Sequence, residues 1–214
     1  MVSFSKSGGP SLVVDWDGTI TERDSLVMVL EHFGDWEECK RLGDQLFAGE
    51  ITLHEEIDRQ FATVTAPLEE VVAWVLENVR VRPGLPELVE RFHPLVVSSG
   101  LHELIDPVLA REGVEVELLA NRAVPSPDGW RVIWRDETLC PVCGQACKRR
   151  TLPAEGPIVY VGDGYSDRCA ALAADRVFAT RGLAKYLDEL GVAYEPFTDL
   201  HDVVRGLEPA QAGT

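Results

Sequence analysis

Asp15 and Asp17 stand one residue apart at the end of the apolar run Leu12-Val13-Val14, with Gly18 and Thr19 directly after them. Two carboxylates at that spacing repel each other unless a cation or a proton lies between them, so the pair calls for a metal, a split in pKa, or both. The same residues also make an ordinary surface turn of the Asp-x-Asp-Gly kind, so the pair alone decides nothing. Three further pieces accompany it. Leu95-Val96-Val97 runs into Ser98-Ser99-Gly100, and Ile158-Val159-Tyr160-Val161 runs into Gly162-Asp163-Gly164-Tyr165-Ser166-Asp167. Lys148 falls between these two, and with four lysines in the chain against sixteen arginines, a lysine at this place is poorly explained as solvent decoration. Just before it, Cys140-x2-Cys143-x3-Cys147 has knuckle spacing for zinc, but structural zinc wants four ligands. Cys169 supplies the fourth only if the fold brings it there; otherwise these are small buried side chains.

The elements that must position these groups follow from periodicity. The three apolar runs read as strands covered on both faces, as in a parallel sheet whose ligands sit at the carboxyl ends. Apolar residues at 26, 29, 30 and 33, then Leu53, Ile57, Phe61 and Val64, then Leu68, Val71, Val72, Val75, Leu76 and Val79 recur at helical spacing, with Pro67 placed for a helix start. No strand pattern falls between 21 and 94. An all-helical stretch of about sixty residues is too long for a simple crossover. Leu85 to Phe92 form a helix feeding the Ser98 strand, and Leu101 to Arg111 a second one, interrupted at Asp106-Pro107. Val114 to Val124 and Trp130 to Arg135 alternate around Pro125-Ser126-Pro127-Asp128-Gly129, a hairpin with suitable turn chemistry. The expected organisation is a core of residues 11–21 and 81–207, a helical cap at 22–80, and flexible termini at 1–10 and 208–214.

Composition bounds the partners. The 214 residues carry a net charge of −16 with a pI near 4.6, which argues against nucleic acid or an anionic membrane, since both need clustered cations. No leader-like or membrane-spanning stretch stands out, and five cysteines, an odd number, suit a reduced, cytoplasmic setting. Oligomeric state leaves no trace in the sequence.

Strand-Asp-x-Asp, strand-Ser, Lys, strand-Gly-Asp-x4-Asp, in that order over residues 11 to 207, resembles the haloacid-dehalogenase-like superfamily, whose members are mostly magnesium-dependent phosphatases. A helical cap after the first strand is similar to the phosphoserine-phosphatase-like branch. The cysteine segment before Lys148, with Val177 to Leu183 and Tyr194 to Phe197, resembles the diketo-methylthiopentyl-phosphate phosphatases of methionine salvage; the cysteine segment also resembles the phosphoethanolamine and phosphocholine phosphatases. The resemblance implies an α/β fold, a Rossmann-like parallel sheet with that cap and a β-hairpin extension. It implies magnesium held by Asp15, Asp163 and the carbonyl of Asp17, with Asp15 as nucleophile forming an aspartyl-phosphate and Asp17 as general acid and base. Ser98, Ser99, Gly100 and Lys148 would bind the phosphoryl group, and Asp167 would orient Lys148 or a metal-bound water.

Asp24 occupies the position at which phosphoserine phosphatases read the substrate ammonium. Arg59 lies next to, not at, the position of their carboxylate-reading arginine, which counts against phosphoserine; Asp24 and Arg59 are nonetheless the cap candidates for reading the leaving group. The expected activity is hydrolysis of a small phosphomonoester, with phosphoserine or an amino-alcohol phosphate as alternatives. A phosphate-accepting signalling domain is disfavoured by the long helical insert and by Asp-x-Asp in place of adjacent acids. A non-catalytic, zinc-bearing interaction protein has only the cysteines in its favour.

Overall fold

The computed structural model describes residues 10–208. The chain runs through β1 (Ser11–Val14), a tight turn at Trp16–Ile20, and four helices, α1 (Ser25–Phe33), α2 (Trp36–Ala48), α3 (Leu53–Phe61) and α4 (Leu68–Asn78). It continues with α5 (Leu85–Phe92), β2 (Leu95–Leu101), α6 (His102–Glu112), β3 (Glu117–Val124) and β4 (Arg131–Ile133). A segment of irregular backbone leads to a short 3-10 turn at Lys148–Thr151. Then come β5 (Ile158–Gly162), α7 (Arg168–Ala171), β6 (Arg176–Ala179), α8 (Arg181–Leu190), β7 (Glu195–Pro196) and α9 (Leu200–Leu207).

The seven strands form one sheet in the order β4-β3-β2-β1-β5-β6-β7, parallel except for β4. Central β1 pairs with β2 through Val13↔Leu95 and with β5 through Val13↔Tyr160, so the three sequence segments that end in polar groups lie side by side with their carboxyl ends at one edge. Alternation along β1 sends Leu12 and Val14 into one apolar layer and Val13 into the other. The first layer is covered by the insert and by α5, α6 and α9; the second by α7 and α8. β3 is more than a hairpin strand: its first half pairs in parallel with β2, and only Arg122 to Val124 pair antiparallel with β4. Pro107 sits inside α6, which is continuous where an interruption was expected.

The segment from Thr21 to Val81 enters and leaves the core side by side. Thr21 bridges Val81, and Glu22 N donates to the carbonyl of Arg80 at 2.9 Å. Three of the four insert helices start on a side-chain cap: Asp24, Asp35 and Thr52 accept from the first-turn amides of α1, α2 and α3, and Gly49 closes α2 in the left-handed region. On its far side the insert fuses with the hairpin. Trp130, fully buried, stacks on Phe61 and donates its indole N–H to the carbonyl of Ala66 at 2.9 Å. Gly129 is required there, because its φ of +116 and the Ala62 carbonyl oxygen, 2.2 Å from where a Cβ would stand, exclude any side chain.

Among the described residues no helix is long and apolar enough to cross a membrane. The termini expected to be flexible lie outside the described residues except for Pro10 and Glu208. The Glu208 carboxylate pairs with Arg91 at 2.6 Å.

Candidate active site

The carboxyl edge of β1, β2 and β5 gathers four aspartates around one lysine. Asp15, directly after β1, and Asp167, after β5, are both buried and both accept from Lys148 Nζ, Asp167 at 2.7 Å. Asp167 is fully satisfied. Its other donors are the Tyr160 hydroxyl at 2.7 Å and the amides of Asp163 and Gly164 at 3.0 and 2.9 Å, so it fixes Lys148 and the loop after β5 together. Gly162 makes room for this carboxylate: a Cβ there would stand 2.7 Å from Asp167 Cγ. Gly164 has open space around it.

Asp163 reaches back toward the first turn. It accepts from Thr19 Oγ1 at 3.4 Å and lies 3.5 Å from Arg181 Nη1. Gly18, with φ +76, lets the chain leave β1 at once; a Cβ on it would come within 2.3 Å of Asp163 Oδ2. Arg82 clamps the same turn, donating to the carbonyls of Gly18 and Thr19 at 3.1 and 3.0 Å.

Asp17 is held by two serines. Its Oδ1 accepts from the Ser25 amide at 3.1 Å and from the Ser25 hydroxyl, and its Oδ2 accepts from Ser98 Oγ at 3.1 Å. Ser98 in turn accepts from the Gly100 amide at 2.7 Å, so its one proton goes to Asp17. Gly100 passes so close that a Cβ would meet Asp17 Oδ2 at 2.7 Å. Ser99 lines the adjoining cavity, and its carbonyl accepts from Asn121 at 2.8 Å.

Burial and crowding shift the acids upward. Asp15 is held well above the carboxylate range by burial and the charge of Asp167, against the pull of Lys148. Burial also raises Asp17, with Ser25 opposing. Asp163 is pushed up to about 7 by burial and then Asp167, and Asp24 to about 7 by burial and then Asp17. For Lys148, burial disfavours the charge but Asp15 and Asp167 outweigh it, so it stays protonated. Carboxylate oxygens of Asp15, Asp163 and Asp167 come within 4.8 Å of one another. Hard oxygen donors, with more negative charge than one buried lysine can balance, fit a small divalent cation.

A cavity of about 310 Å³ opens from these acids toward the insert. Toward the insert its walls are mostly apolar, with Leu26, Leu30, Leu46, Phe47, Leu53 and Ile57 contributed by α1, α2 and α3. Asp24 faces it while capping α1 through the Val27 amide at 2.9 Å. Arg59 does not face it. It lies on the outer side of α3, 3.5 Å from both Glu38 and Gln45, and the reading role expected for it is corrected here. Glu56 and Gln60, hydrogen-bonded to each other at 3.1 Å, face the cavity in its place. Burial pushes Glu56 up to about 7.

The sequence did not single out Tyr160, Ser25, Arg181, Glu56 or Gln60. A phenol inside an otherwise aliphatic strand was the one available signal, for Tyr160. Cys140, Cys143 and Cys147 lie outside the acidic cluster, and the fold adds Cys169 to them.

A family model described as haloacid dehalogenase-like hydrolase matches residues 12–172. A 2-hydroxy-3-keto-5-methylthiopentenyl-1-phosphate phosphatase of Brevibacillus brevis is 30% identical, over 94% of this chain and 96% of that one. One of the same name from Geobacillus thermodenitrificans is 29% identical, over 92% and 94%. Among solved structures, a phospho-aspartyl intermediate analogue of phosphoserine phosphatase superposes with a TM-score of 0.69 at 18% identity, over 93% of this chain and 99% of that chain.

Proposed function

The chain belongs to the haloacid dehalogenase-like hydrolase family and is a phosphoric monoester hydrolase, and from that premise we propose that it cleaves a small, uncharged, largely apolar alcohol or enol from phosphate by way of an aspartyl-phosphate on Asp15. Asp15 and Asp163, with the Asp17 carbonyl, would hold magnesium, which when bound there offsets the charge of the phosphate dianion.

A carboxylate oxygen of Asp15 attacks phosphorus as the bond to the leaving oxygen breaks, and Asp17 gives that oxygen its proton. A water then passes a proton to Asp17 and attacks the phosphorus, releasing inorganic phosphate and restoring Asp15. The raised pKa of Asp17 suits this cycle, and Ser25 and Ser98 hold its two oxygens in place. Lys148, kept charged by Asp15 and Asp167, pairs with a phosphoryl oxygen beside the carboxyl end of β2, where Ser98 would have to turn its proton from Asp17 to the phosphoryl group to join it. The helices at 22–80 act as a cap whose inner face receives the leaving group.

One observation carries the substrate class: among the described residues, the lining of the cavity contains no lysine or arginine, and the side chains that α1, α2 and α3 contribute to it are mostly apolar. A serine carboxylate placed there would be left unpaired, at a cost of several kcal/mol. A methylthioalkyl chain of the kind named for the Brevibacillus and Geobacillus relatives would instead bury apolar surface at about 25 cal/mol per Å². A second reading, an amino-alcohol phosphate, has Asp24 and Glu56 in its favour as partners for a cation.

The test is a comparison of kcat/KM with magnesium for the methylthiopentenyl phosphate, phosphoethanolamine, phosphoserine and an aryl phosphate. The first should lead phosphoserine by at least tenfold. Preference for phosphoserine would overturn the reading, and preference for phosphoethanolamine would replace it with the second.

A further inference from the structure

The proposed chemistry leaves the cysteines unused, although the fold has brought four of them together. Cys140, Cys143 and Cys147 lie on the irregular segment before Lys148, and Cys169 lies in α7, two residues after Asp167. Their sulfurs all lie within 4.8 Å of one another, with Cys140 Sγ and Cys169 Sγ 4.0 Å apart. A tetrahedral zinc with Zn–S bonds of about 2.3 Å sets its sulfurs about 3.8 Å apart, so the thiols already stand near the corners of such a site.

The backbone between them is shaped for the same purpose. Cys140 N donates to the Gln145 carbonyl and Gly144 N to the Cys140 carbonyl, both at 2.9 Å, with Gly144 in the left-handed region at φ +73. This turn aims the Val142 amide at Cys140 Sγ, 3.4 Å away, where it stabilises negative charge on sulfur. An all-sulfur donor set selects zinc over magnesium, so this centre and the acidic one do not compete for an ion.

The segment also needs a tie. Between β4 and the turn at Lys148 there is no regular element, and Leu139 and Val142 are 66% and 62% exposed, so apolar burial holds it only weakly.

We propose that Cys140, Cys143, Cys147 and Cys169 bind one structural zinc ion, which staples the Lys148 segment to the start of α7. The metal site stands independently of the phosphatase reading; a consequence for activity rests on that reading. Cys147 adjoins Lys148 and Cys169 follows Asp167, so the ion would tie on one side the two segments whose side chains meet at 2.7 Å on the other. Lys148 would thereby be positioned without any contact between the zinc and substrate.

Metal analysis of the full chain, purified under reducing conditions without chelator, should find about one zinc per chain. Replacing it with cobalt should give the visible absorption of a tetrahedral thiolate centre. Cys143→Ser combined with Cys169→Ser should abolish binding and speed amide hydrogen exchange over residues 136–151, whereas Cys39→Ala, a cysteine buried in the insert, should keep the metal. The wild-type measurement stands whether or not the double variant folds. A zinc content near zero after incubation with excess zinc and removal of the unbound ion, a mass loss matching two disulfides in the native chain, or zinc retained by the double variant would each overturn the site.

Discussion

Asp163→Asn should stabilise the metal-free protein while abolishing its catalysis. Asp163 is folded into a place where its charge is unwelcome: its pKa rises from the ordinary 3.8 to about 7, first through burial and then through Asp167. A carboxyl raised in this way contributes stability that is fully present below about pH 3.8 and lost as pH rises through about 7. Each pKa unit is worth about 1.4 kcal/mol, so the rise sets a ceiling of about 4 kcal/mol for the penalty at pH 8. Relaxation and water access bring this to about 2–4 kcal/mol, and the ion pair to Arg181, worth less than about 1 kcal/mol, offsets little of it. The amide keeps the shape and can still accept from Thr19, but carries no charge. In urea titrations with chelator present, the variant should be about 2–4 kcal/mol more stable than wild type at pH 8, and about equal near pH 4. Saturating magnesium should reverse the order at pH 8, because only wild type gains the linkage stabilisation. A metal-free variant that is no more stable than wild type at pH 8 would refute the claim that the acidic cluster is a strained site relieved by a cation.

Asp15→Asn should remove turnover with the fold intact, because the amide cannot form the phosphoenzyme; retention of a tenth of the activity in a magnesium-supplemented assay contradicts its role. Glu56, raised from 4.5 to about 7 by burial, contributes stability that is present below about pH 4.5 and lost through about 7. Glu56→Gln should therefore gain about 1–2 kcal/mol on wild type between pH 4.5 and 8, after discount for partial exposure; equal urea midpoints at both pH values count against it. Asp24→Asn, which preserves the cap on α1, should change the ranking of substrates, whereas Arg59→Ala should leave kcat/KM within about twofold on all of them. An Arg59→Ala effect confined to one substrate would return that residue to the cavity.

The sheet was legible because each chemical group ends an apolar run, and a run buried on both faces has little choice but to be a central strand. The order of those runs, with Lys148 between two of them, foretold which polar groups would share an edge. α2 was not foreseen. Its only buried residues are Cys39, Leu42 and Leu46 among charged neighbours, with Gly43 inside the helix. Its punctuation was nonetheless present in Asp35, Glu37, Glu38 and Gly49. Arg59 went astray because the position came from an alignment and not from helix phase. At about 100 degrees per residue, Glu56 and Gln60 fall on one flank of the buried Ile57–Phe61 stripe and Arg59 on the opposite side. Cys169 and Tyr160 join their partners only through tertiary packing, which no local pattern encodes.

The attachments of the helical insert are unequal, and that inequality bears on how a substrate reaches Asp15. On the hairpin side, Trp130 is fully buried against Phe61, and Trp134 stacks on His54 with ring centroids 3.6 Å apart. Parting that contact would uncover a tryptophan, at a cost comparable to the roughly 3–5 kcal/mol of truncating one in a core. On the opposite side Phe47, 69% exposed, meets Tyr165 edge to face at 5.6 Å, an interaction worth about 0.5–1.5 kcal/mol. Both Phe47 and Tyr165 line the cavity. The Phe47–Tyr165 side is therefore expected to open more readily than the hairpin side. That open side borders the cysteine segment, since Tyr165 and Leu53 also line a neighbouring hollow with Cys143, Cys147 and Cys169. The proposed zinc staple on the Lys148 segment would therefore sit beside the more weakly attached side of the insert.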